Sequence, residues 1–134
     1  MTCELCTATG GELLWRDDLC RIVLVADADY PGFCRVILER HVKEMTDLDA
    51  ETRQRFMSAV FAAELAVRRV MQPDKINLAS LGNMTPHLHW HVIPRFADDK
   101  HFPNSIWGEA RRVGGTHTRP GIAEQLRAAL VELL

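Results

Sequence analysis

His87, His89 and His91 stand at every second position of a five-residue stretch and make up half of the chain's six histidines. Side chains of an extended strand alternate between faces, so these imidazoles line one face at intervals of about 6.7 Å while Leu88, Trp90 and Val92 line the other. Lys, Thr or Glu would serve a merely solvated face better, so the pattern points to chemistry. An unperturbed imidazole, with a pKa of about 6.5, is mostly neutral at pH 7 and keeps one nitrogen able to attack. If a backbone carbonyl or a neighbouring histidine holds the other nitrogen, the tautomer is fixed. Histidines on either side can then donate to a phosphoryl group whose oxygens redistribute charge in the transition state. The middle residue, His89, is the expected nucleophile, with His87 and His91 beside it. The same spacing suits two imidazoles on one zinc or iron, which leaves a metal-dependent enzyme as the rival. Arg95 and the polar Gly82-Asn83 loop favour an anion over a cation.

Positioning such a row requires a sheet, and the rest of the chain supplies one. Apolar runs over 12–15 and 21–26, separated by Asp17-Asp18, predict a hairpin. Asp, Pro and Gly over 27–32 predict a turn before a third strand over 33–38. Thr46-Asp47-Leu48-Asp49 carries oxygens that cap a helix, and Phe56, Val60, Ala63, Val67 and Val70 form one stripe of a helix over about residues 49–71. Pro73 ends it, 75–81 resumes strand character, and Gly82 to Pro86 makes a tight loop. Residues 97–115 read as loop, and 120–134 as a final helix with Ile122, Leu126, Ala129, Leu130 and Leu133 on one face. The expectation is an α+β domain, an antiparallel sheet of about five strands with one long helix and a C-terminal helix.

Length and charge narrow the function classes. The 134 residues suit one domain over 1–134. Sixteen Lys and Arg against eighteen Asp and Glu give a net charge of −2, far from the basic footprint of a nucleic-acid binder. No apolar run reaches the length of a membrane span. Met-Thr-Cys-Glu-Leu-Cys has no basic region followed by an apolar run, so it does not read as a secretory signal and a cytoplasmic protein is expected. Cys20 and Cys34 read as small buried residues. Cys3 and Cys6 form a lone Cys-x-x-Cys pair, and a redox role is disfavoured because no helix start after Cys3 is expected.

His87-Leu88-His89-Trp90-His91-Val92-Ile93 resembles the signature of the histidine triad (HIT) superfamily, in which three histidines alternate with apolar residues. The resemblance extends upstream, through Tyr30-Pro31-Gly32-Phe33 and the strand leading to Arg40-His41, to Thr46-Asp47-Leu48 at the head of the long helix. It covers roughly residues 3–107 and leaves 108–134 outside. It implies a nucleotide hydrolase or transferase that acts at a nucleoside α-phosphate of a dinucleoside polyphosphate or nucleoside phosphoramidate. The reaction would pass through a covalent nucleotidyl-histidine, with no catalytic cofactor, in a homodimer taking a purine nucleotide. Carried over by position, His89 is the nucleophile, His91 bonds the α-phosphate, His87 orients the site and Asn83 holds phosphate oxygens. Asp27 is the candidate for the ribose hydroxyls, although a turn-forming Asp explains it equally well.

Two departures from the family pattern stand out. Phe33 replaces a histidine directly after Pro-Gly, and Met84 replaces a hydroxyl residue after the loop glycine, leaving Thr85 as the nearest substitute. The resemblance also implies a structural zinc on Cys3, Cys6, His41 and His87, which competes with a catalytic role for His87. A nucleotide-binding regulatory module without turnover is the non-enzymatic alternative. Trp107 either closes the nucleotide site or packs elsewhere.

Overall fold

The computed structural model describes residues 2–134. Five strands, β1 (Glu12–Arg16), β2 (Cys20–Leu24), β3 (Cys34–Leu38), β4 (Lys75–Ala79) and β5 (His89–Arg95), form one sheet in the order β1-β2-β3-β5-β4. Every neighbouring pair is antiparallel, so the expected α+β architecture is the one observed. Asp17 Oδ1 accepts from the backbone N–H of Leu19 and Cys20 and folds the β1–β2 turn.

Period-two alternation gives the sheet two unlike faces. Cys20, Ile22, Cys34, Val36, Leu38 and Val92 belong to the main core, covered by α2 (Ala50–Met71) and α3 (Ile122–Leu133). Burial pushes the Cys20 and Cys34 thiols up to about 12, so both stay protonated and serve as packing. The opposite face carries Arg21, Val23, Arg35, Ile37, His89 and His91, and it holds all the chemistry described below.

Helix α2 starts where Asp49 Oδ1 accepts from Thr52 N–H at 2.8 Å. Phe56, Val60, Ala63, Val67 and Val70 are buried as the stripe predicts. It ends at Gln72, in a left-handed conformation with φ 50°, just before Pro73. Helix α3 begins at Ile122, two residues later than expected, because Gly121 adopts φ 78°. Gly32 also has positive φ, 86°, and a Cβ there would lie 2.6 Å from Met71 Cγ, so only glycine lets the turn before β3 sit on the end of α2. Residues 97–115 contain neither helix nor strand. Contrary to the sequence expectation, a one-turn helix α1 (Glu4–Thr7) does follow Cys3. No helix among the described residues is long and apolar enough to cross a membrane.

Candidate active site and metal-ligating group

The histidine row does not run on one strand. Pairing with β3 begins at His89, opposite Ile37, and His91 lies opposite Arg35, while His87 precedes β5 in an irregular turn whose N–H bonds to Thr85 O. The three rings therefore do different things. His89 and His91 pack edge to face with centroids 4.9 Å apart. They line a cavity of about 340 Å³ together with Arg35, Leu81, Gly82, Asn83, Met84, Thr85 and Trp107, a volume at the lower end of small-molecule sites.

His89 Nδ1 is 2.6 Å from the His87 carbonyl. A carbonyl only accepts, so Nδ1 carries a hydrogen, and in the neutral ring the lone pair is on Nε2. This is the fixed tautomer that nucleophilic attack requires, supplied by the main chain two residues upstream. His91 is buried and its Nδ1 has no partner among the described residues. Burial, reinforced by the neighbouring His89 and the Arg35 charge, lowers the His91 pKa to about 4, so His91 is neutral at pH 7 and presents one N–H. Trp107 is half-exposed with its ring centroid 4.9 Å from that of His91, which resolves its place in favour of the cavity.

His87 faces another way. Its Nε2 donates to Leu38 O at 2.6 Å, which leaves the Nδ1 lone pair directed at Cys3 Sγ (3.4 Å), Cys6 Sγ (3.5 Å) and His41 Nδ1 (3.3 Å). Cys6 Sγ is also 3.4 Å from His41 Nδ1, and all four ligand atoms lie within 4.8 Å of one another. A tetrahedral ion bonded to sulfur at about 2.3 Å and nitrogen at about 2.05 Å separates two nitrogens by about 3.3 Å and sulfur from nitrogen by about 3.6 Å. The donor set and its spacing thus fit a metal ion. The Leu38 carbonyl is the outer partner that orients a ligating imidazole, and burial, the largest influence on His87, keeps its pKa low and the ring neutral. His89 and His91 are not part of this group.

Arg21 holds the segment that carries Cys3 and Cys6 against the sheet, and nothing in its sequence context marked it. Only 3% exposed, it donates to the carbonyls of Leu5, Ala8 and Thr9 and pairs with Glu39 at 3.0 Å. Leu5 completes the anchorage by packing on Val23 and Ile37.

One sequence expectation is corrected, and a second candidate residue lies apart from the histidines. Arg95, taken as a cation for an incoming anion, is 2% exposed and consumed by Asp99 in a two-pronged pair at 2.8 and 3.0 Å, with further bonds to Asn77 and the Asn104 carbonyl. The cation in the cavity is Arg35, whose position beside His91 depends on the β3–β5 register. Asp27 does not line the histidine cavity: its carboxylate accepts from Asp29 N–H, and it borders a separate cleft with Leu24, Pro31, Thr118 and Arg119. Asn83 and Thr85 do line the histidine cavity.

The HIT domain profile matches residues 9–98, two thirds of the sequence. The chain belongs to the HIT family. A HIT structure from Marinobacter aquaeolei VT8, a histidine triad protein, shares 26% identity over 100% of this chain and 98% of that one, with a TM-score of 0.80. A Zn-bound histidine triad family protein from Mycobacterium smegmatis has the same fold at 23% identity, covering 99% and 96% of the two chains, with a TM-score of 0.65. Among curated HIT relatives, an AP-4-A phosphorylase from Mycobacterium tuberculosis is 30% identical over 84 residues, 58% of this chain. The present chain spans only 43% of that relative's length.

Proposed function

We propose that this HIT protein is a nucleotide hydrolase or transferase in which His89 Nε2 attacks a nucleoside α-phosphate. The observation that carries this reading is the 2.6 Å bond from His89 Nδ1–H to the His87 carbonyl, which reserves Nε2 as the free nitrogen on a cavity lined by His91, Asn83 and Thr85. Attack forms a nitrogen–phosphorus bond and breaks the bond from phosphorus to the leaving group, which departs with its electron pair and takes a proton from solvent. Water then cleaves the nucleotidyl-histidine and restores the imidazole. Neutral His91 and Asn83 donate to the phosphoryl oxygens as their charge redistributes. The similarity to the AP-4-A phosphorylase supports a nucleotide as substrate, and a dinucleoside polyphosphate or phosphoramidate fits the same chemistry. The expected homodimer belongs to this reading and is testable by sedimentation.

In the same proposal Cys3, Cys6, His41 and His87 hold a structural zinc, which ties the N-terminal segment to the turn preceding β5. Their atom spacing supports this. It also weighs against a catalytic metal on all three triad histidines, because the free Nδ1 of His87 faces the cysteines. Mass spectrometry of intact protein quenched during turnover of adenosine phosphoramidate tests the central claim. An adenylyl adduct present in wild type and missing in His89→Ala is expected, while His89→Ala with near-normal turnover overturns it. Nucleotide binding with neither adduct nor turnover would mark a regulatory module instead.

A further inference from the structure

Among the arginines on the chemical face of the sheet, Arg16 pairs with Glu39 at the β1 edge, and Arg21 and Arg95 are fully engaged. Arg21 is closed off by three carbonyls and the Glu39 carboxylate. Arg95 is closed off by Asp99, Asn77 and a carbonyl. Arg35 differs from both. Its one hydrogen bond within the described residues is a long one, 3.2 Å from Nη1 to the Gly10 carbonyl, and it has no carboxylate partner there. Its Nε is buried and has no partner among the described residues.

A half-buried guanidinium with one neutral acceptor is costly unless something else meets it, because desolvating a charge is repaid only by pairing and hydrogen bonds. The surroundings show where that partner enters. Arg35 lines the histidine cavity, and its cross-strand neighbour is His91, which places their Cβ atoms about 5 Å apart. The orphaned Nε of Arg35 and the orphaned Nδ1 of His91 thus belong to directly opposed residues bordering one cavity. Guanidinium donors in a planar fork match a phosphate or carboxylate with two parallel bonds.

We propose that Arg35 receives a second anionic group of the substrate, adjacent to the phosphate addressed by His89, and so makes this chain select ligands with at least two neighbouring negative groups over those with one. The proposal rests on the reading that the cavity takes a nucleotide phosphate. It assigns Arg35 to substrate selection, because the bond-breaking groups are histidines. A nucleoside diphosphate, or one end of a longer polyphosphate, engages both the histidines and Arg35; a nucleoside monophosphate amide engages the histidines alone and is the weaker ligand, though still open to attack by His89.

Calorimetric titration of AMP and ADP into wild type, Arg35→Met and Arg35→Lys tests this, with inorganic phosphate and pyrophosphate as nucleoside-free probes. Wild type binds ADP more tightly than AMP. Arg35→Met weakens ADP by about tenfold or more, the usual worth of a charge-assisted hydrogen bond, and AMP by about threefold at most. Arg35→Lys, with charge but no fork, falls between. Pyrophosphate follows ADP if the anion alone is recognised. Equal losses for AMP and ADP in a variant of unchanged melting temperature, or no loss for either, overturn the proposal. Should Arg35→Met not fold, the wild-type comparison still decides, since equal affinities for AMP and ADP refute it. Discrimination that depends on Arg35 without any adduct on His89 would sink the reaction and keep the anion receptor, so the two failures are distinguishable.

Discussion

Asp99→Asn is expected to cost more stability than any other single-atom exchange outside the two sites. The carboxylate is 2% exposed and accepts from six donors. Oδ2 takes Arg95 Nε at 2.8 Å and Phe96 N–H at 3.0 Å. Oδ1 takes Arg95 Nη2 at 3.0 Å, the Tyr30 hydroxyl at 3.1 Å, His101 N–H at 3.1 Å and Phe102 N–H at 2.8 Å. An amide must turn its NH₂ toward one of these sets, so even in the better flip it opposes two donors and leaves the Arg95 charge buried without compensation. Breaking one partner of a buried pair costs about 3–5 kcal/mol. An unfolding entropy of about 2.1 cal/mol/K per residue comes to about 280 cal/mol/K over 134 residues. About 4 kcal/mol then lowers the melting temperature by about 14 °C. Scanning calorimetry on wild type and variant measures this directly, and a fall of less than about 3 °C would refute the claim that this carboxylate organises the loop after β5.

The same substitution carries a signature in pH. Burial alone would raise the Asp99 pKa, but the Arg95 guanidinium with the Phe96 and Phe102 N–H groups overrides it and holds the carboxyl well below the usual carboxylate range. A depressed carboxylate contributes stability that is present above its unfolded pKa of about 3.9 and is lost as pH falls below it. Wild type should therefore lose stability steeply in that acid range, and Asp99→Asn should lose less there. Because Arg95 also holds the Asn104 carbonyl, the variant should expose Trp107 more readily to an aqueous fluorescence quencher.

Two further outcomes are expected. His91, with a folded pKa of about 4 against an unfolded value near 6.5, takes up a proton more readily when unfolded; stability should fall as pH drops from about 6.5 to about 4, by at most about 1.4 kcal/mol per pH unit, and urea midpoints showing no flattening in His91→Asn would contradict this. Purified protein should contain about one equivalent of zinc by elemental analysis, held by the Cys3, Cys6, His41 and His87 group. Cys6→Ala and His41→Ala should abolish that content and lower the melting temperature while a quenched reaction still yields the His89 adduct, and metal-free wild type with an unchanged melting temperature would argue against the site.

Local chemistry was legible in the sequence wherever it was encoded locally. The α2 stripe and a cap within Thr46–Asp49 depend on spacing within one segment; the stripe is where the spacing puts it, and the structure selects Asp49 as the capping residue. The alternation around His89 and His91 also survived folding, because a strand preserves period two. Extending it to His87 failed for a physical reason: the ladder starts at His89, and the His87 ring turns between the Leu38 carbonyl and the Cys3-Cys6 pair, contacts 49 to 84 residues distant in sequence. Arginine roles were illegible for a similar reason. Arg21, Arg35 and Arg95 look alike in their strands, and only the register and the loops at 5–9 and 99–104 decide which one is left open to the cavity. Asp27 illustrates a third limit: a turn-forming carboxylate and a ligand-binding one have the same local sequence, and its bond to Asp29 N–H supports the former.

The acceptor that sets the protonation pattern of His89 is a peptide oxygen, not a side chain. Any amino acid at position 87 brings that oxygen with it. The two contributions of residue 87, an imidazole offered to the cysteines and a carbonyl offered to its neighbour, are therefore genetically separable: exchange of the imidazole can strip the first while the second persists for as long as the local chain path is kept.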